Sequence, residues 1–286
     1  LPGPLELPIV SNLLEIGEVL SDQMGFIIAY HNHFRDKETG ASRTWTFKLP
    51  LFPRFIVLAT RTDLYKHVLY DNFGNYPKGP FFQSRLRALL GDGIFNADGE
   101  TWKVQRKTAL MLFTRKILRD SMHPIFVHHS QQVLEVLRQA ASSGAPLDIH
   151  DLFYRYTLDS IGHIAFGVEL GTLQDPENPF SRAFDQVQRI LNSRFTNPAF
   201  LLTEWWTGES SKLAESVKIL QAFCRDLIAQ RRKSGDYETR EDVLSMFMRL
   251  KNEKGEFVVL HNDKLLQDIV LNFIIAGRDT TAQALT

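Results

Sequence analysis

The sequence predicts a mainly α-helical fold with a small β-sheet near the amino terminus, and three observations carry that expectation. Beyond Pro124, apolar residues recur at helical spacing in segment after segment. Strand-like patterning is confined to Thr44-Trp45-Thr46-Phe47-Lys48-Leu49 and Phe55-Ile56-Val57-Leu58. From Leu265 to Ala276 nearly every turn is apolar on all sides, the pattern of a helix that crosses a large core. With 286 residues, 44% of them hydrophobic and 21 of them phenylalanine, the chain has the apolar surface to build such a core.

The elements follow in order. Ser21 to His33 is expected as the first helix, and the two strands as a pair joined by a turn at Pro50 and Pro53. Thr60-Arg61-Thr62-Asp63 has capping-box form and opens a helix to about Tyr70. Phe73 to Phe95 reads as irregular, because prolines and glycines flank Phe81 and Phe82. Helices are then expected from Pro124 to Ala141, Asp151 to Gly167, Pro179 to Asn192, Ser211 to Lys233, Glu241 to Lys251 and Asp263 to the end. A polar turn at Glu253-Lys254-Gly255-Glu256 precedes the last of them.

Composition excludes several classes. The 33 basic and 33 acidic residues balance, so there is no nucleic-acid footprint. A single cysteine rules out a disulfide framework and fits a reducing, cytosol-facing compartment. No run approaches the ~20 apolar residues that cross a bilayer, and no secretory signal, glycosylation sequon or phosphate-binding glycine loop is found. His123, His128 and His129 lack an accompanying carboxylate or cysteine cluster and are expected on a solvated helix surface, with no metal ligands in the chain.

Two motifs carry chemistry. In Asn272-Phe273-Ile274-Ile275-Ala276-Gly277-Arg278-Asp279-Thr280-Thr281 a glycine and an acid–alcohol pair interrupt an apolar helix. Glycine costs about 1 kcal/mol relative to alanine there, and a locally broken rule in a core usually serves a site. Small Ala276 and Gly277 let a flat cofactor approach the backbone, while Asp279 and Thr280 can pass protons or position water. A helix ending at Gly277 is the alternative, opposed by the helix-forming Ala282-Gln283-Ala284-Leu285. Upstream, Gly91-Asp92-Gly93-Ile94-Phe95-Asn96-Ala97-Asp98-Gly99-Glu100 is a glycine-punctuated loop feeding a helix with Asp98 as N-cap. On that helix Trp102 and Arg106 stand at i and i+4, an indole N–H and a guanidinium sharing one face to clamp a carboxylate. A core tryptophan beside a solvated arginine is the plainer reading of the same pair.

Together these motifs resemble the cytochrome P450 haem-thiolate monooxygenases, closest in look to fungal and plant fatty-acid and alkane omega-hydroxylases. The resemblance implies the amino-terminal half of that fold, incomplete, as a single domain over residues 1–286. It implies haem b and its iron as cofactor, with Trp102 and Arg106 holding a propionate and Ala276 and Gly277 lying against the ring. Asp279 and Thr280 become the catalytic pair that passes protons toward O2. Phe81, Phe82, Ile94, Phe95 and Phe273 become substrate-binding residues for a lipophilic small molecule, a long-chain fatty acid or alkane oxidised at its terminal carbon, with a sterol or other lipophile as the alternative. Phe195, Phe200, Leu201 and Leu202 fall where the family's substrate lid turns. Electrons are expected from NADPH through NADPH–cytochrome P450 reductase, docked on the basic stretch Lys103, Lys107, Arg115 and Lys116, which also reads as a plain solvated face. Leu1-Pro2-Gly3-Pro4, Pro8, Asn12 and Leu13 resemble the proline-rich hinge, residues 1–13, that follows an upstream membrane anchor, implying the cytosolic face of the endoplasmic reticulum membrane.

The departure concerns cysteine. A haem-thiolate enzyme needs an axial thiolate, yet Cys224 sits in an amphipathic helix with apolar residues at 220, 223, 227 and 228 and reads as a small core hydrophobe. The family's phenylalanine-led, glycine-rich ligand loop and its Glu-x-x-Arg motif are absent from these residues. The chain is therefore expected to be a fragment inactive alone, and a non-enzymatic truncated helical protein is the competing reading.

Overall fold

The computed structural model describes residues 2–3, 22–41, 43–47, 56–58, 61–111, 113–195, 197, 199–251 and 254–286. In chain order its principal elements are α1 (Gln23–His33), β1 (Trp45–Phe47), β2 (Ile56–Leu58), α2 (Thr62–Lys66), α3 (Gly79–Leu90), α4 (Gly99–Leu110), α5 (His123–Ser143), α6 (Ile149–Phe166), α7 (Pro179–Ser193), α8 (Phe200–Trp206), α9 (Glu209–Ser234), α10 (Val243–Met248) and α11 (Asp263–Leu285). They group into two compact units, Leu1–Pro77 with Asn192–Trp206, and Lys78–Leu191 with Thr207–Thr286. Among the described residues no helix is long and apolar enough to cross a membrane.

In the first unit α1 starts where Asp22 accepts the Gly25 N–H at 2.8 Å, so the helix begins behind a carboxylate cap. β1 and β2 pair antiparallel in the register Trp45–Leu58, Thr46–Val57 and Phe47–Ile56. Trp45 is fully buried among Phe26, Tyr30, Phe34 and Phe47, with ring centroids 5.6–6.1 Å away. The expected turn at Pro50 and Pro53, and Thr60 of the capping box, lie outside the described residues. Arg61 gives α2 no side-chain cap; it pairs instead with Asp63 at 2.7 Å. The helix runs on as a π-helix over His67–Asp71. α8 is a short helix where the sequence reading placed a turn, and the buried pair Arg194–Glu204, 2.6 and 2.7 Å, holds it.

The second unit contains a correction. Part of the stretch expected to be irregular between Phe73 and Phe95 is the twelve-residue helix α3. Pro80 occupies its first turn, where a missing N–H costs nothing, and Gly91 ends it at φ 50°. The sequence reading treated both residues as breakers when they punctuate a helix. The later helices fall within a few residues of expectation. Asp148, Asn262 and Asp242 cap α6, α11 and α10, and glycines at φ 68° and 63° close α5 and α6. α10 is shorter than expected, ending at Met248 before an antiparallel bridge between Lys251 and Phe257.

The core forms where α11 meets α6, α9 and α10, around Phe166, Leu220, Ile228, Phe247, Val270 and Ile274. A buried ion network ties three of its helices. Arg231 of α9 donates to Asp242 at 2.5 Å, to Ser245, and to the Phe166 carbonyl at the end of α6 at 2.6 Å. Removing Asp242 takes the near carboxylate from a desolvated guanidinium and leaves it only Asp236, 3.5 Å away, a cost of about 3 kcal/mol. Asp242→Ala is therefore expected to lower unfolding free energy by that amount in urea titrations, whereas Arg61→Ala, an exposed pair, is expected to change it by less than about 1 kcal/mol.

Candidate active site

The long helix α11 is less uniformly apolar than its sequence suggests. Asp268 and Asn272, i and i+4 on one face, are both buried. Their side chains bind the loop that follows α3. Asp268 accepts the Asp92 N–H at 2.9 Å and also pairs with Lys264. Asn272 accepts the Phe95 N–H at 2.9 Å and donates to the Leu90 carbonyl at 2.9 Å. The glycines now have a physical reason. A Cβ at Gly91 would come 2.1 Å from the Asp268 carboxyl, and one at Gly93 2.1 Å from the Asn272 amide. The sequence reading found the glycines and missed their partners, although two polar residues four apart inside an apolar run were the available signal. Burial pushes the Asp268 carboxyl above its usual range, against the Asp92 N–H and Lys264, which hold it down.

The same loop delivers Asp98, and here the expectation is corrected. Asp98 occupies the N-cap position of α4 but makes no cap bond to it. Its carboxylate turns back to the start of α3, accepting from Lys78 N–H at 3.1 Å, Gly79 N–H at 3.2 Å and the Gln83 amide at 3.1 Å. Asn96, buried, donates to the Gly91 carbonyl at 2.8 Å, and Gln105 of α4 donates to the Asp92 carbonyl at 2.9 Å. So the loop is bonded to α11 on one side and to α4 on the other. α4 then presents Trp102, half-buried with the Lys78 ammonium 5.9 Å from its ring centroid, and Arg106, one turn on and exposed. Arg106 makes no ion pair among the described residues, which leaves its guanidinium available to an anion.

α11 continues as helix through Gly277 to Leu285, so the alternative of a helix end there is excluded. Gly277 is used for packing: a Cβ would come 2.6 Å from Ile161 of α6. Ala276, Gly277, Phe273 and Thr281 line a cavity of about 270 Å³ with Ile161, Ile164, Met122 and Phe126. Phe273 also meets Phe247 edge-on at 6.0 Å. Phe81, Phe82, Ile94 and Phe95 are not among the residues lining it. Phe81 is exposed with the Arg85 guanidinium 3.7 Å above its ring, and Phe95 is exposed and bound to Asn272 by its backbone. Thr280 is exposed, its hydroxyl donating to the Ala276 carbonyl at 2.8 Å. Asp279, adjacent in sequence, is turned toward α7, where Gln188 donates to it. Burial raises its carboxyl above the usual range, while Gln188 and Arg278 pull it back.

Cys224 is fully buried on α9, and desolvation pushes its thiol far above the usual range, so it behaves as a core side chain. One histidine is a second correction, while His123 and His128 are exposed as expected. His129 is buried, not solvated, bonded to Gln132 at 3.1 Å, and its ring centroid lies 5.0 Å from His128 and 5.7 Å from His163. Among the described residues, no cluster of three such side chains is placed to hold a metal ion.

A helix with buried polar residues, a glycine loop bonded to it and a Trp-x-x-x-Arg helix beyond define a helical protein built around α11, and comparison with known proteins gives the family. The family model described as cytochrome P450 matches residues 1–286. The chain is 37% identical to cytochrome P450 704B1 of Arabidopsis thaliana over 262 residues, 86% of this chain and 49% of that protein. It is 32% identical to cytochrome P450 monooxygenase cyp1 of Mycosarcoma maydis, over 100% of this chain and 44% of that one. The solved structure titled as the cytochrome P450DA heme domain shares the fold, with a TM-score of 0.77 at 18% identity over 98% of this chain and 57% of that chain. The chain belongs to the cytochrome P450 family, which implies haem iron, and it spans about half the length of the curated relatives it matches.

The loop anchor can be tested directly. Asn272→Ala strands the Phe95 N–H and the Leu90 carbonyl, and Gly93→Ala drives a methyl into the Asn272 amide. Each is expected to cost about 3 kcal/mol in urea unfolding. The Asp268 effect has a definite sign. The folded protein binds that proton more tightly than the unfolded chain, so the stability contribution is largest below the ordinary value of 3.8 and is lost as pH rises toward the raised folded value. In Asp268→Asn the slope of unfolding free energy across that window is expected to flatten.

Proposed function

We propose that the whole protein is a haem-dependent monooxygenase that inserts one oxygen atom of O2 into an unactivated C–H bond of a lipophilic substrate. The observation that carries this reading is the acid–alcohol pair. Asp279 is buried enough to hold a proton above the usual carboxylate range, and exposed Thr280 follows it on an unbroken helix. The residues fit one side of the cofactor. Arg106, exposed and without an acidic partner among the described residues, and Trp102 one turn before it would hold a propionate. The Ala276–Thr280 stretch would lie against the ring. When bound, a haem iron with a cysteine thiolate ligand supplies the activation of dioxygen. Cys224 does not fit as that ligand, being sealed in the core, so the reading assigns the thiolate to the part of the whole protein outside these residues.

The chain's own residues then have distinct tasks. Asp279 takes up a proton and passes it along water held by the Thr280 hydroxyl. Apolar side chains exclude bulk water and bind the substrate by burial at about 25 cal/mol per Å². Terminal hydroxylation of a long-chain fatty acid or alkane is the substrate reading we favour, supported by the motif resemblance. Electrons come from NADPH through NADPH–cytochrome P450 reductase, for which exposed Lys107, Arg115 and Lys116 offer a basic face. An upstream anchor would hold the protein at the cytosolic face of the endoplasmic reticulum.

The test uses the whole protein, reconstituted with haem and reductase. Thr280→Ala is expected to lower hydroxylated product per NADPH several-fold and release hydrogen peroxide instead; full coupling in that variant removes the role given to Thr280. Arg106→Ala is expected to lower haem content after gel filtration, and unchanged content removes the propionate clamp. No turnover of fatty acids, alkanes or sterols by the intact protein overturns the substrate reading.

A further inference from the structure

Asp279 is held from two helices at once. Arg278, the residue before it, is buried at 2% exposure yet carries a full charge. Its guanidinium donates to Asp185 of α7 at 2.5 Å, to the Gln188 side-chain carbonyl at 3.2 Å and to Asp279 Oδ1 at 3.3 Å. Gln188 completes the ring by donating its amide to Asp279 Oδ2. The rings of Tyr154 on α6 and Phe184 on α7 lie 4.5 and 5.5 Å from the guanidinium carbon, which fixes its plane. One acidic side chain therefore has both oxygens engaged by different donors, and both donors are bonded to each other. Such a closed ring leaves the carboxylate little rotational freedom.

We propose that Arg278 and Gln188 are positioning residues that fix both oxygens of the Asp279 carboxylate across the α7–α11 contact and so govern its proton transfer toward Thr280. This rests on the acid–alcohol reading given above and deepens it. Neither residue touches the reacting atoms. Arg278 supplies positive charge from the acid's own helix, and Gln188 supplies a neutral donor from α7. Among the described residues, the charged and titratable groups facing the ring are Arg278 on α11, Asp185 on α7, and on α6 Tyr154 and His150, which both bond Gln283 of α11 at 3.0 and 3.1 Å. Asp185 opposes ionisation of Asp279, Arg278 favours it, and the Gln188 amide favours it without adding charge. A displacement of α7 would open the ring at Gln188 first, because that bond is the direct α7 contact to Asp279.

The test reads the carboxyl itself. Infrared difference titration of the whole protein, with Asp279→Asn to assign the band, gives the protonation midpoint of Asp279. Gln188→Met keeps the side-chain volume and removes a donor to the carboxylate, so the midpoint is expected to rise by about one pH unit. Gln188→Glu places a like charge there and is expected to raise it further. Arg278→Lys keeps the charge and should leave the midpoint nearer the parent value than either Gln188 variant. If Gln188→Met does not fold, Gln188→Asn, one methylene short of Asp279, takes its place with the same expected direction. A midpoint unmoved in folded Gln188 variants overturns the assignment, because a merely structural glutamine would change stability without ordering the titrations. The titration needs no turnover, so its failure is separate from failure of the monooxygenase reading, which the peroxide measurement on Thr280→Ala decides.

Discussion

The second unit depends on two side chains inlaid in the helix α11. Asp268 and Asn272 are polar groups inside a core of Leu266, Ile269, Val270 and Ile274, where an unbonded amide or carboxylate is costly. Each finds its partners in the backbone of the loop at Gly91–Phe95. The loop cannot approach closely enough unless residues 91 and 93 lack a Cβ. Two glycines and two polar residues 175 positions or more downstream therefore specify one another. The same loop then carries Asp98 back to the start of α3 and leads into α4, the helix of Trp102 and Arg106.

How much of this was legible in the sequence depends on the range of the interaction. The helices of the second half follow from local periodicity and caps, and their bounds fall close to expectation because Asp148, Asn262 and Asp242 act on amides two or three residues away. The motif Ala276 to Thr281 was legible as an interruption of an apolar helix, since that oddness is a local fact. What failed was any feature decided across the chain. α3 was hidden because its N-terminal partner, Asp98, lies about twenty residues later. The burial of His129 was hidden because it depends on the neighbouring helix that carries His163. The smallness of Gly277 was legible, but only the packed structure reveals Ile161 of α6 against it.

The site also shows how one helix serves several constraints through its faces. On α11 the side at Asp268 and Asn272 binds the glycine loop, and the side at Gly277 takes α6. The side at Arg278 and Asp279 meets α7, and Thr280 remains exposed. Successive residues of the Gly277–Thr280 tetrad point to different neighbours because the helix turns by 100° per residue. A substitution within the tetrad therefore disturbs a different neighbour at each position.

The cap supplied to α3 by Asp98 has a consequence for how this region comes apart. A helix whose first amides are held by its own N-cap can fray and reform alone. α3 cannot, because the carboxylate that closes it belongs to the far end of the following loop, beside α4. Release of Asp98 frees the start of α3 and the entry to α4 in one event, so α3, the loop and α4 form a single opening unit, a foldon. The amides of Lys78 and Gly79, though close to the surface, then exchange with solvent at the rate of that whole segment.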